Sequence, residues 1–146
     1  MSDRPEPTFV NTRTVRVAWG DCDPAQIVFF PRYYEMFDAA TQELFRAALG
    51  APKIAWVKTY GIVGIPLVET RAKYFIPSYY GDDIVIESRV SAFRRTSFDV
   101  VHRILKDGAL AVEGFEARVW AAANPSRPGG IASHPIPDEV VRAFAR

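Results

Sequence analysis

Residues 19–49 read WGDCDPAQIVFFPRYYEMFDAATQELFRAAL, and the fold of the whole chain turns on them. Pro31 suits the first position of a helix, where its fixed φ fits and its missing N–H would have had no intrahelical partner. From there Tyr34, Phe37, Ala40, Leu44 and Ala48 recur at helical spacing, and Tyr33, Phe45 and Leu49 widen the stripe. Gly50 and Pro52 stop it, so the spacing predicts one long helix over residues 31–49. A helix this apolar has to be buried, and the rest of the chain offers mostly strands to bury it. Asp23 stands one short loop ahead of the helix N-terminus, where backbone N–H groups lack partners and the dipole is positive. Such a place can polarise a carbonyl while holding a carboxylate beside it.

Upstream, residues 14–19 alternate in character and read as a first strand, closed by Gly20 and Asp21. Residues 1–12 read as a flexible lead-in and residues 13–146 as a single domain. Downstream, residues 51–60 are too few for a second layer and read as one or two irregular helical turns that return the chain to a sheet. From Ile62 the apolar period changes to two. Residues 65–77, 84–93, 96–105 and 110–121 read as strands, with Lys106-Asp107-Gly108 as a tight hairpin connection. Short links between neighbours make an antiparallel meander the economical arrangement. Residues 124–137, NPSRPGGIASHPIP, read as loop, and Asp138 as the cap of a short last helix. The expected architecture is α+β, one long helix wrapped by an antiparallel sheet of about five strands.

The 146 residues, 49% of them apolar, support a sizeable core in one soluble globular domain. A net charge of +1 sets up no field that would draw nucleic acid or an anionic membrane, and the arginines form no stripe. The single cysteine, Cys22, leaves no internal disulfide and no thiolate metal site. The stretch MSDRPEPTFVNTRT carries acids and prolines where a signal peptide or membrane span needs an apolar segment, so a cytoplasmic location is expected. An antiparallel sheet around one helix leaves edge strands in need of cover, which predicts a homodimer or a higher homo-oligomer.

The run GDCDPAQIVFFPRYYEMFDAA, then GIVGIPLVETRAKYFIPSYYGDDIVIES and FRRTSF, closely resembles the hotdog-fold acyl-CoA thioesterases, and within them the 4-hydroxybenzoyl-CoA thioesterase group. The resemblance extends over residues 15–119. It implies the hotdog fold, hydrolysis of an acyl-CoA thioester without metal or organic cofactor, and assembly as a dimer or as a dimer of dimers, a homotetramer, with the site at the dimer interface. It places the catalytic carboxylate at Asp23, which could attack the thioester carbonyl or activate water. The backbone N–H of Phe30 is implied as the donor that polarises the carbonyl, a role that leaves the side chain free to vary. Arg94 and Arg95 match the family's basic cluster for the phosphates of coenzyme A, since a planar guanidinium fits phosphate oxygens. Asp38 matches an acid that could accept a hydrogen bond from a phenol on the acyl group. Phe29 and Tyr33, with Phe30 and Tyr34, are candidates for the acyl lining, which a flat aromatic group would suit as well as a short aliphatic one.

The chain departs from the family pattern at two of these places. Gln26 stands where glycine is common, which bears on the loop after Asp23, and Thr96 stands where the basic cluster has lysine. Cys22 lies far in sequence from either histidine, so it reads as a small buried residue and not as a nucleophile. Two other functions fit parts of the pattern. A non-catalytic acyl-CoA-binding module would keep the arginines and the pocket and use Asp23 as a cap. A hotdog acyl-CoA hydratase would need a histidine near the helix, whereas His102 and His134 fall on a late strand and in the tail.

Overall fold

The structure, a computed structural model, describes residues 4–146; residues 1–3 of the expected lead-in lie outside the described residues. Helix α1 spans Pro31–Leu49, with Pro31 at its first position and Gly50 closing it at φ 70°. A glycine is at ease in that left-handed conformation, and its N–H returns to the Arg46 carbonyl at 2.9 Å. The guanidinium of Arg146 takes the next carbonyls, those of Ala47 and Ala48. The short segment after it is a regular helix, α2, over Lys53–Tyr60.

A five-stranded antiparallel sheet wraps α1. Its strands are β1 (Val10–Arg16), β2 (Leu67–Tyr74), β3 (Asp83–Phe93), β4 (Ser97–Lys106) and β5 (Ala109–Val119), in the order β1-β3-β4-β5-β2. The expected meander therefore holds only for β3, β4 and β5. β2 lies at the far edge against β5, because the chain crosses the sheet after α2 before it turns into the meander. The β4–β5 hairpin turns on Asp107 (φ 50°) and Gly108 (φ 80°), the two positive φ values that a tight hairpin between right-twisted strands requires.

Three other expectations differ from the structure. β1 begins at Val10, inside the stretch read as lead-in, and the N–H groups of Thr8 and Phe9 just before it donate to the Phe144 carbonyl. The tail is not all loop, since β6 (Ala121–Ala123) and β7 (Ile131–Ser133) form a small ribbon. Asp138 does not cap α3 (Asp138–Ala143); Pro137 holds the cap position, and the Asp138 carboxylate accepts from Arg4 at 2.9 Å.

Behind α1 the core has two apolar halves. One gathers Tyr33, Met36, Phe37 and Ala40 with Ile84, Ile86, Ile104 and Val112. The other gathers Leu44, Phe45 and Ala48 with Trp56, Val90, Phe98, Val100, Trp120 and Phe144. Thr41 lies between these two groups on α1, Ser88 between Ile86 and Val90 on β3, and His102 between Val100 and Ile104 on β4. A polar layer thus crosses the core at one level, in a row where Ser88 pairs with His102 and His102 with Gly114. Phe37 stacks on the His102 ring at 4.8 Å and occupies the space above Gly114, where an added Cβ would lie 2.6 Å from the Phe37 ring. The absent side chain at 114 is what lets the helix settle onto the sheet there.

Candidate active site

The loop ahead of α1 is built as a small hairpin. Cys22 bridges Val28, the Asp23 N–H donates to the Ile27 carbonyl at 3.0 Å, and the Phe29 N–H donates to the Asp21 carbonyl at 2.8 Å. Asp21 holds the preceding turn by accepting from the Ala18 N–H at 2.8 Å, the turn role its position suggests. At the tip, the Asp23 carboxylate accepts from the Ala25 N–H at 2.8 Å, an Asx turn that fixes its side chain. Gln26 closes the tip at φ 71°. This left-handed conformation is one that glycine adopts without strain and glutamine adopts at a cost, in keeping with the glycine expected here from the family resemblance.

Phe30 follows this hairpin in helical conformation, φ −52° and ψ −35°, so its N–H points out along the axis from the positive end of α1. Pro31 has no N–H, Arg32 donates to the Phe29 carbonyl and Tyr33 to the Phe30 carbonyl. Among the described residues the Phe30 N–H meets no acceptor, which leaves it as the free donor of the first turn.

Two adjoining hollows flank the hairpin. A cleft of about 530 Å³ is lined by Trp19, Cys22, Asp23, Gln26, Tyr79 and Tyr80, with Trp19 set edge-on to Tyr80. A smaller groove of about 220 Å³ runs over Val28, Phe30, Tyr33, Tyr74, Phe75 and Ile76. Ile27 and Tyr79 bridge between them, and the Val28 N–H donates to the Ser78 carbonyl. Asp23 opens on the first hollow and Phe30 on the second. Cys22 is half-buried on the wall of the cleft, so the expectation of a plain buried residue does not hold. Phe29 is exposed, whereas Tyr33 is a core residue whose ring also meets the groove. Burial raises the Tyr33 phenol above its ordinary value, against the opposing pull of nearby Ser78 and the Lys106 charge.

The two arginines of the β3–β4 turn are not alike. Arg94 grips the Asp99 carboxylate through both terminal nitrogens, at 3.0 and 2.6 Å, and its Nε donates to Ser97. Arg95 is exposed and no side-chain partner is found for it among the described residues. Arg89, on the outer face of β3, is also exposed.

Asp38 leads into a set of side chains that the sequence reading passed over. Its Oδ1 accepts from Arg118 Nη2 at 2.8 Å. Arg118 Nε and Nη2 each donate to Glu116 at 3.0 Å, and Nη1 donates to the Ile65 carbonyl at 2.8 Å. Thr41 donates its hydroxyl to Glu116, so His102 Nε2, 3.1 Å from the Thr41 oxygen, has to be the donor toward Thr41. Ser88 and His102 Nδ1 complete the chain at 2.7 Å. Desolvation pushes the Glu116 carboxyl up, and His102 and Arg118 beside it outweigh that, holding the group at about 2. His102 is fully buried beneath Phe37 and His134 is exposed beyond β7, so neither is placed on the Asp23 cleft. The available signal for this layer was phase. Glu116 and Arg118 alternate in step with Val112 on β5, and His102 in step with Phe98, Val100 and Ile104 on β4.

Among the described residues no group of three acidic, histidine or cysteine side chains is arranged to hold a metal ion, and no helix is long and apolar enough to cross a membrane. One helix cradled by a five-stranded antiparallel sheet is the hotdog architecture. Residues 17–144 match the thioesterase-like superfamily, and the chain belongs to it. It is 36% identical over 115 residues to 4-hydroxybenzoyl-CoA thioesterase of Pseudomonas sp. (strain CBS-3), across 75% of this chain and 82% of that one. Among solved structures it resembles a 4-hydroxybenzoyl CoA thioesterase, an aspartate-to-asparagine mutant complexed with 4-hydroxybenzoyl CoA, at 29% identity and a TM-score of 0.83, covering 92% of this chain and 98% of that chain. It also resembles a gentisyl-coenzyme A thioesterase at 30% identity and a TM-score of 0.79, covering 92% of this chain and all of the other. The hotdog fold and the acyl-CoA thioester hydrolase class expected from the sequence are borne out by these likenesses.

Proposed function

We propose that this protein hydrolyses the thioester of a hydroxyl-bearing aromatic acyl-CoA to the free acid and coenzyme A, with Asp23 as the reacting carboxylate. The observation that carries the reading is the unpartnered Phe30 N–H at the positive end of α1, directly after the hairpin that fixes Asp23. In one route a carboxylate oxygen of Asp23 bonds to the carbonyl carbon, the C–S bond breaks and the thiolate leaves. Water then opens the resulting anhydride. In the other, Asp23 takes a proton from a water whose oxygen attacks the carbonyl. Either way one water is consumed, the thiolate gains a proton, and the charge developing on the carbonyl oxygen meets the Phe30 N–H.

Binding also calls on residues outside the two hollows. Phe29, on the surface, offers a ring face to a flat acyl group, the buried Tyr33 forms part of the floor of the groove, and Asp38, 56% exposed, offers a carboxylate oxygen to the acyl hydroxyl. Arg95 has the free guanidinium for the phosphates of coenzyme A, and Arg94 adds its charge beside it while bracing the turn. The likeness to thioesterases of hydroxylated aromatic acyl-CoAs supports this acyl class. Release of thiol from 4-hydroxybenzoyl-, benzoyl- and short aliphatic acyl-CoAs tests it. The hydroxylated aromatic substrate is expected to have the highest kcat/KM, and Arg95→Ala to raise KM about fivefold to tenfold with kcat unchanged, less so in high salt. Equal turnover of the aliphatic substrates would contradict the acyl assignment.

The working form is proposed to be a homodimer or a dimer of such dimers, in the cytoplasm. Among the described residues β2 is an edge strand with one flank unpaired, and Leu67, Val68, Tyr74 and Phe75 on and beside it are exposed. Tyr74 and Phe75 also line the groove over Phe30, so a second copy laid along β2 would close that groove. Light scattering is expected to give at least twice the mass of the chain; a fully active single chain would contradict the dimer.

A further inference from the structure

We infer that Arg118 is a positioning residue that sets acyl specificity by holding Asp38 as a ready-made acceptor for the acyl hydroxyl. This rests on the reading of Asp38 given above and extends it to a buried residue that meets no substrate.

An aspartate on the open face of a helix ordinarily samples several rotamers. Asp38 is held, because its Oδ1 accepts from Arg118 at 2.8 Å and faces the Gln42 amide at 3.5 Å, one helical turn on. Among the described residues the other oxygen has no partner, on a carboxyl group that is more than half exposed. Arg118 itself cannot follow Asp38 into solvent. Its side chain is 4% exposed, and Glu116 and the Ile65 carbonyl fix its other nitrogens.

The contacts also close a loop through the fold. Asp38 and Thr41 sit three residues apart on α1; Arg118 joins the first to β5, and Glu116 joins β5 back to the second. His102 and Ser88 tie that loop to β4 and β3. The rotation of α1 about its axis, and with it the direction of the free Asp38 oxygen, is therefore set from the sheet. Buried ion pairs are weak sources of net stability, since desolvation offsets their attraction. The contact that leaves the buried layer is Arg118 to Asp38, and it reaches the one carboxylate of the set that ligand could touch. A binding group fixed in advance loses less freedom when it engages, and a site built around a hydroxyl rejects the analogue without it.

The test is the ratio of kcat/KM for 4-hydroxybenzoyl-CoA to that for benzoyl-CoA, in the wild type, Arg118→Lys, Asp38→Asn and the double variant. Arg118→Lys is expected to lower the ratio about tenfold through the KM of the hydroxylated substrate, with kcat for benzoyl-CoA within about threefold of wild type. The double variant should fall no lower than Asp38→Asn alone, because both changes remove one interaction. An unchanged ratio in Arg118→Lys with a lowered one in Asp38→Asn overturns the inference and leaves the Asp38 reading standing. An unchanged ratio in both overturns that reading as well. Equal losses on the two substrates would assign Arg118 a merely structural part and also overturn the inference. Should Arg118→Lys fail to fold, Glu116→Gln/Arg118→Met removes both buried charges together and is expected to lower the ratio in the same way.

Discussion

Asp23→Asn is expected to lower kcat for thioester hydrolysis by about 10³-fold, within the range for a lost general base or nucleophile, and to leave KM and the melting temperature near wild type. The specificity of that outcome comes from the loop. The hydrogen bond that fixes Asp23 runs from the Ala25 N–H to Oδ1, and an asparagine carbonyl oxygen accepts it equally well. The hairpin pairing of Asp21 and Asp23 with Phe29 and Ile27 is made by backbone groups alone. What the substitution removes is charge and nucleophilicity, which both chemical routes need. Steady-state thiol release with a thermal melt of the same preparation checks it. A variant as active as the wild type would return Asp23 to the role of a turn residue.

The second large effect is on stability. Arg118→Leu strands Glu116, 1% exposed, without its cation, and breaking a buried pair from one side costs about 3–5 kcal/mol. For a chain of this length that is a fall in Tm of roughly 10–20 °C. Glu116→Gln/Arg118→Met is expected to lose much less, because no charge is left behind and the glutamine still reaches Thr41 and His102. The acid limb of stability follows from the same group. The Glu116 carboxyl is held at about 2 against 4.5 in an unperturbed chain, so the unfolded state binds its proton first. The stabilisation is complete above pH 4.5 and is lost as pH falls toward 2, amounting to about 3 kcal/mol across that window. In Arg118→Leu the slope over that window flattens, since one of the two groups that hold the carboxyl low is gone. Urea melts of both proteins between pH 2 and 6 read this directly; parallel slopes would contradict the placement of Arg118 against Glu116.

The parts of this molecule legible from sequence are those fixed by local stereochemistry. Pro31 and Gly50 mark the ends of α1 because one has no N–H to lose and the other adopts a left-handed φ without strain. Asp107 and Gly108 mark the hairpin for the same kind of reason. The partner of β2 was not legible, since adjacency in sequence argues for β3 whereas β2 pairs with β5 at the far edge of the sheet. The β6–β7 ribbon was hidden among alanines, prolines and glycines that read as loop.

Around the site the division is similar. Asp23 and Phe30 lie in one contiguous stretch, and their motif carries them. Arg94 and Arg95 are equivalent as letters, and only the fold brings Asp99 under one of them. The Trp19, Tyr79 and Tyr80 walls of the cleft come from segments 60 residues apart, with no spacing rule to join them. The polar layer was written in the strand phase of His102, Glu116 and Arg118, but charged residues in a half-exposed sheet are ordinarily placed outward. Here Gly114 makes room for Phe37, and α1 meets the sheet with Thr41 at the level where those groups need a partner.

The position of the thioester carbonyl decides most directly whether Phe30 and Asp23 do the chemistry. A crystal structure of Asp23→Asn soaked with 4-hydroxybenzoyl-CoA is expected to place the carbonyl oxygen within about 3 Å of the Phe30 nitrogen, with the residue 23 side chain facing the carbonyl carbon and the phenol at Asp38. A ligand bound with its carbonyl away from Phe30 would contradict the account, whatever the rate of thiol release.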